Sequence, residues 1–423
     1  MSRRRLQAHT SKPSQSSKIW KMVAPQLAPE LIDEIIDHLH DDMPSLSSCS
    51  RVCKTWTPAA QFHLFHSIVA HAVPPLDKET YDGAIFTRFS DFVNAKEAEK
   101  LLPYVRELRF DPGLASLKPP QLPYEVLCAA LLKLPSLHTL TLHYLELPPL
   151  PETVPALCHR LRSLNLKKMI DDEGSRLVGI LRCFNVVDRL SIDYHHWTLG
   201  GVLDFVSVED MVGWKTRVQN FQHYRRPLVS TLKLIHDSAY WALSLVEPRA
   251  LTSLYLDVSW ATFLPNYEEI GAFLYNTSSG LLDLTLDISG RRLGGALDVK
   301  KMNIACCKNV VRLTVAIALP DNPNDDNHVL YCRKQWDDLV ALLSDPPSSV
   351  RHLTIDFRRS VPAYIVIRDY NWSSLDAVLA CREHLEEVSF ACNQESMGLG
   401  KPWLEFLTSC LPRFRSMGNI HVL

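Results

Sequence analysis

From Val105 onward the chain repeats one six-residue pattern: apolar, two variable, apolar, one variable, apolar. It reads "VRELRF" (105–110), "LHTLTL" (137–142), "LRSLNL" (161–166), "VDRLSI" (187–192), "VSTLKL" (229–234) and "LTSLYL" (251–256). It continues as "LLDLTL" (281–286), "VVRLTV" (310–315), "VRHLTI" (350–355), "LEEVSF" (385–390) and, more weakly, "MGNIHV" (417–422). Each hexad ends in the apolar–polar–apolar alternation of a strand with one buried face. Between hexads lie segments with helical spacing, among them "PYEVLCAALLKLPS", "WDDLVALLSDPPSS" and "WSSLDAVLACREH". One strand–helix unit cannot bury its own apolar face. Stacked units pair their strands into a parallel sheet and cover it with helices. The pattern therefore predicts an α/β chain of serial repeats. The wide gaps, 187 to 229 and 310 to 350, imply insertions: an extra helix near residues 202–224, and a loop, "LPDNPNDDNH", followed by a helix. That loop has the acids of a calcium loop from Asp321, but Pro323 stands where a ligand is needed and the turn glycine is missing, so it reads as a plain acidic loop.

The N-terminal segment has a different period. "LAPELIDEIIDHL" (27–39) places Leu31, Ile32, Ile35, Ile36 and Leu39 on one broad helical face, with Pro29 in the first turn and Glu30, Asp33 and Glu34 near its positive end. Leu46, Cys49, Val52, Cys53 and Trp56 follow at helical spacing, and Phe62, Phe65, Ile68 and Val69 form a third stripe. Three short helices make a small core that gains from a partner.

Both regions resemble known families. Leu27, Glu30, Leu31, Ile32, Ile35, Ile36, Leu39, Val52, Cys53, Lys54 and Trp56 match the F-box pattern, with Ala28 in the place of the family's proline and Pro29 one residue later. The repeats resemble an irregular leucine-rich-repeat solenoid. The Asn that caps the regular repeat occurs only at Asn393; Asp237, Ser259, Ser289 or Leu145 stand there in other copies. The resemblance implies a basic disordered tail (1–24), an F-box (25–70), a linker and first repeat helix (71–104), and a solenoid (105–423) with parallel strands on its concave side and helices on its convex side. It further implies that the F-box docks a Skp-family adaptor, and through it a cullin–RING ubiquitin ligase, by helix-in-groove recognition. The adaptor-contact candidates on that basis are Leu27, Pro29, Leu31, Ile35, Ile36, Leu39, Val52 and Trp56.

Composition narrows the alternatives. Lys+Arg 45 against Asp+Glu 47 leaves no bulk charge to draw nucleic acid or anionic lipid. Eleven scattered cysteines do not form a disulfide framework, and neither a secretory h-region nor an apolar run of membrane-spanning length is seen, so a cytoplasmic or nuclear setting is expected. The sequons at Asn276 and Asn371 then carry no glycan. Arg3, Arg4, Arg5, Lys12, Lys18 and Lys21 among Ser and Pro read as a solvated tail.

No nucleophile elbow, phosphate loop, zinc-protease helix or dinucleotide fingerprint occurs, so the expected activity is binding, with no catalytic residue and no cofactor. "CSRVCKTWTPAAQFHLFH" (49–66) has cysteine and histidine pairs, but spaces them too tightly for a zinc finger; Cys49 and Cys53 are expected to share a helix face in the core. The adjacent His195 and His196 would point to opposite faces of a strand, and Cys306–Cys307 reads as buried thiols. The third and fifth hexad positions and the residue after the sixth should face away from the core. On that face Asp193, Tyr255, Asp257, Asp283, Thr285, Asp287 and Asp356 are the candidate client-binding residues, interrupted by Arg189, Arg312 and His352. The expected function is client recognition for an SCF-type ubiquitin ligase. The alternative is a non-catalytic scaffold that holds the adaptor, or other partners, outside a ligase.

Overall fold

The computed structural model describes residues 27–71, 86–112, 119–147, 158–169, 175–194, 226–235, 242–258, 267–290, 299–319, 326–358, 370–392 and 400–423. The chain forms two compact units, dividing between Leu64 and Phe65. The basic tail, the 202–224 insertion, residues 320–325 of the acidic loop with Asp321 and Pro323, His195–His196, Asp237, Ser259 and Asn393 lie outside the described residues.

The first unit holds three helices: α1 (Pro29–Asp37), α2 (Met43–Cys49) and α3 (Thr57–His66, whose last two residues lie beyond the division). Proline at N1 starts α1, and Asp42 caps α2 by accepting from Ser45 N at 3.1 Å. The core is small: Ile32, Ile36, Leu46, Cys49 and Ala60 are buried, and Leu39, Trp56, Ala59 and Leu64 pack against them. His63 Nε2 sits 2.7 Å from Asp37 Oδ1, tying α3 to α1. The expected helical stripe through Trp56 breaks early. α2 stops at Cys49, and the Thr57 hydroxyl donates to the carbonyls of Ser50 and Cys53, both at 2.9 Å, holding a turn. Cys53 is therefore exposed, while Cys49 is in the core.

The second unit is built on a twelve-stranded sheet in which spatial order equals chain order. Its strands are β1 (Ser67–His71), β2 (Glu107–Asp111), β3 (Thr139–His143), β4 (Cys158–Met169), β5 (Phe184–Tyr194) and β6 (Leu228–Ile235), then β7 (Ser253–Asp257), β8 (Asp283–Asp287), β9 (Arg312–Ala318), β10 (His352–Arg358), β11 (Glu387–Cys392) and β12 (Asn419–Val422). Every pairing is parallel. All eleven hexads fall on β2–β12.

β1 is a twelfth strand that the pattern did not predict. Residues 65–70, "FHSIVA", are apolar at the first, fourth and sixth places, but Phe65, Ile68 and Val69 equally satisfy a helical stripe. The tie is broken only by pairing with β2, which places Ile68 opposite Leu108 and Ala70 opposite Phe110. The N-terminal helical module thus ends earlier than residue 70.

The pairing aligns the hexads in register. The fourth positions form one ladder through Leu108, Leu140, Leu164, Leu190, Leu232, Leu254, Leu284, Leu313, Leu353 and Val388, every one buried. The sixth positions form a second, from Phe110 through Leu142, Leu166, Ile192, Leu234, Leu256, Leu286, Val315 and Ile355 to Phe390. Burial of such a side chain stabilises by about 1.5–3 kcal/mol. Connecting helices send their own apolar residues into the same core. They are α4 (Thr87–Asn94), α5 (Tyr124–Lys133), α6 (Ser175–Arg182), α7 (Tyr267–Thr277), α8 (Val299–Met302), α9 (Asp326–Ser344), α10 (Trp372–Ala380), α11 (Gly400–Cys410) and α12 (Pro412–Arg415). Gly271 lets α7 approach α8 closely; a Cβ there would overlap the Lys301 carbonyl.

The C-terminal repeats carry an aromatic cluster. Trp336 of α9 stands 4.6 Å from Trp372 of α10, and Trp372 stands 5.8 Å from Phe406 of α11, measured between ring centroids. Buried Asp376 accepts from the backbone N–H of Arg413 (3.2 Å) and Phe414 (2.9 Å), satisfying the start of α12. Cys307 is buried, which pushes its thiol up, and Cys306 is half-buried.

Because each rung touches the rungs on both sides, Leu284→Ala should destabilise the sheet unit by about 2–5 kcal/mol. Asp376→Ala, which orphans two donors, should cost about 1–3 kcal/mol. Urea unfolding followed by circular dichroism measures both.

Candidate interaction surfaces

The first unit spends its apolar residues unevenly. Ile32 and Ile36, one turn apart, fill the core, whereas Leu31 and Ile35, also one turn apart, are 49% and 41% exposed. Leu27, Met43 and Val52 are likewise exposed, and so is Pro29. A soluble helix normally turns such side chains inward. Here a core of five buried residues is already full, and the remainder stay in water. Ile36 is fully buried, so it leaves the set of contact candidates; its place on the broad sequence stripe did not separate the inner edge from the outer. Leu39 and Trp56 are half-buried against the core and serve packing first. Met43 was not anticipated. It follows the cap at Asp42 and is not on the α1 stripe that sequence reasoning followed.

The paired cysteines and histidines that open the question of a metal are dispersed by the fold. Cys49 faces inward, and Cys53 faces solvent, its Sγ 2.9 Å from Thr55 Oγ1, a hydrogen bond that lowers its thiol pKa. His63 is turned to Asp37. Among the described residues no group of three or more His, Cys, Asp and Glu side chains is arranged to hold a metal ion.

On the sheet, third and fifth hexad positions project opposite to the buried rungs, as the alternation requires. The expected acidic strip is rearranged by tertiary contacts. Asp257 and Asp287 are paired across β7 and β8, yet both are buried, 6% and 5% exposed. Asp287 Oδ2 accepts from the Tyr255 hydroxyl at 2.6 Å, and its Oδ1 accepts from Ser289 N at 3.0 Å and from Ser289 Oγ at 2.6 Å. Arg358 reaches it from β10, with Nη2 3.9 Å from Asp287 Oδ2 and Nε 2.6 Å from Asp356 Oδ2, the latter without the alignment of a hydrogen bond. Its path crosses β9, where Ala316 and Ala318, small and buried, leave room. Burial pushes the Asp356 carboxyl up, against the pull of Arg358, and burial together with the Asp287 charge raises Tyr255. Asp283 is ion-paired with Arg312.

Four of the seven client-binding candidates, Asp257, Asp283, Asp287 and Asp356, are therefore engaged within the protein, and Tyr255 with them. Asp193 and Thr285 are half-buried on the same face. The sequence offered no sign of this network, because Arg358 lies two residues beyond its aspartate and three strands from Tyr255.

A cavity of about 220 Å³ opens where β9, β10 and β11 begin, lined by Leu343, Pro347, Val350, Leu379, Leu385 and Arg382. Arg382 donates to the Leu343 carbonyl at 3.3 Å and also to that of Ser344, closing the end of α9. No helix among the described residues is long and apolar enough to cross a membrane. No protein-family model matches this chain, and no curated protein matches it.

Two measurements test the network. Tyr255→Phe removes a donor from a buried carboxylate and should destabilise by about 1–3 kcal/mol in urea melts. For Asp356, the folded pKa is raised, so its favourable contribution is present at low pH and is lost as pH rises above its ordinary 3.8. Wild type should accordingly lose stability relative to Asp356→Asn as pH climbs from that value toward neutrality. A relative gain would contradict the assignment.

Proposed function

We propose that this chain is a substrate receptor of an SCF-type cullin–RING ubiquitin ligase. In this reading the helical unit is an F-box that docks a Skp-family adaptor, and the sheet unit is an irregular leucine-rich-repeat solenoid that holds a client protein. The observation that carries the first half is the exposure of Leu27, Leu31, Ile35 and Val52 around a core that is complete without them. A partner groove removes that apolar surface from water, and Pro29 stiffens the approach to it. The uniform rung register and the chain-order strand sequence support the second half, since serial stacking of one repeated unit produces both.

Such a receptor performs no bond chemistry. It raises the effective concentration of a client lysine near the charged ubiquitin carrier, and its contribution is geometric.

A pulldown of the full chain with the adaptor and the cullin is the test. Wild type should retain both. Leu31→Asp with Ile35→Asp places two charges in the contact and should reduce adaptor retention by at least about tenfold, equivalent to about 1.4 kcal/mol. Retention of the adaptor without the cullin would favour a scaffold acting outside a ligase. Failure of wild type to retain the adaptor, or retention that survives the double substitution, would overturn the docking role.

A further inference from the structure

The cavity of about 220 Å³ at the start of β9, β10 and β11 is bordered by two loops whose backbones are committed elsewhere. One joins α9 to β10 (residues 345–350), the other α10 to β11 (residues 381–386). In the first, Pro346 and Pro347 follow the end of α9, where their fixed φ stops the helix and stiffens the turn. Val350 N donates to the Pro347 carbonyl at 3.2 Å, and Ser349 Oγ donates to the Val310 carbonyl at 2.7 Å, tying the loop to the residues that lead into β9. In the second, Arg382 N donates to the Leu379 carbonyl at 3.1 Å, and Leu385 N to the Arg382 carbonyl at 3.3 Å. Neither loop can collapse into the cavity without breaking these bonds.

The lining has two kinds of side chain. Leu343, Val350, Leu379 and Leu385, all buried, make an apolar wall, and the rungs Leu313 and Leu353 continue it into the core. Arg382 is the polar element. Its Nη2 donates to the carbonyls of Leu343 and Ser344, which fixes the guanidinium at the end of α9. Its Nε is shielded from solvent and has no acceptor among the described residues. A shielded donor on a charged group costs free energy until an acceptor reaches it. Cys381, Glu383 and His384 in the same lining are exposed, so the cavity opens on their side.

An apolar interior beside one fixed guanidinium suits an amphiphile with an anionic head. Among the described residues no Phe, Tyr or Trp lines the cavity to stack on a ring, so a saturated chain is the better match. An apolar cavity of about 150 Å³ holds the six carbons of benzene, and in proportion this one holds about eight or nine. We propose that the cavity binds a medium-chain aliphatic carboxylate, its tail among Leu343, Leu379 and Leu385 and its carboxylate accepting from Arg382 Nε. The site shares no residue with the helical unit or with the outward face of the sheet, so it stands independently of the receptor reading.

The purified full chain is titrated calorimetrically with octanoate, 1-octanol and octylamine, each below the concentration at which it self-associates. Octanoate should bind about tenfold or more tightly than either of the others, the margin of one charged hydrogen bond. From hexanoate to dodecanoate, affinity should rise to about eight or nine carbons and then level off. Arg382→Gln should reduce octanoate to the affinity of octanol. Because Arg382 also closes α9, Cys381→Trp provides a second variant: it fills the opening from an exposed position and should abolish binding. In the unaltered chain, octanoate should slow alkylation of Cys381 by N-ethylmaleimide several-fold and leave exposed Cys53 unaffected. Equal binding of the three head groups, or tighter binding of the amine, would overturn the proposal. So would affinity that keeps rising through dodecanoate, which marks adsorption to a surface, or octanoate binding that neither Cys381→Trp nor the alkylation rate registers. Displacement of octanoate by a leucine-terminated peptide at lower concentration than by octanoate itself would assign the cavity to a chain terminus instead.

Discussion

In-register parallel pairing of one short strand with the next is the constraint on which the sheet unit depends. Each strand presents two apolar side chains to the core, too few to hold it folded alone. Pairing in register stacks those side chains into two continuous ladders, from Leu108 to Val388 and from Phe110 to Phe390. A shift of one residue would turn every rung to water, so the register is strongly specified. The helices between strands can differ widely in length, from four residues in α8 to nineteen in α9, because they only need to return the chain to the next rung.

The same register governs the opposite face. It lines up third and fifth positions whose identities are free to vary, and the fold uses that freedom in two ways. Between β7 and β10 it brings acids and cations together and buries Asp257 and Asp287, with Ala316 and Ala318 opening the path for Arg358. Between β4 and β6 it leaves Lys167, Arg189 and Lys233 exposed to solvent. Buried charges require partners, whereas exposed ones do not, so the first group is committed to the protein itself and the second is left to water.

The helical unit obeys a different economy. With so few buried residues it cannot enclose all the apolar side chains its helices carry, and α1 shows the division within a single turn: Ile32 and Ile36 inward, Leu31 and Ile35 outward. Its stability and its surface are therefore two uses of one amphipathic pattern.

Much of the architecture was legible in the sequence. Eleven hexads marked eleven strands, since a period of two with a fixed fourth and sixth apolar position has one stable solution when repeated. The helical spacing before the second, ninth and tenth hexads likewise matched α5, α9 and α10. What periodicity left undecided needed contacts between residues distant in the chain. Phe65, Ile68 and Val69 fit a helix as well as a strand until β2 supplied a partner. Ile36 and Ile35 are neighbours on one stripe, and only the positions of Leu46 and Ala60 decide which is covered. Asp287 reads as a surface acid because the alternation points it outward; the arrival of Tyr255 from β7 and Arg358 from β10, at distances no local pattern encodes, makes it interior.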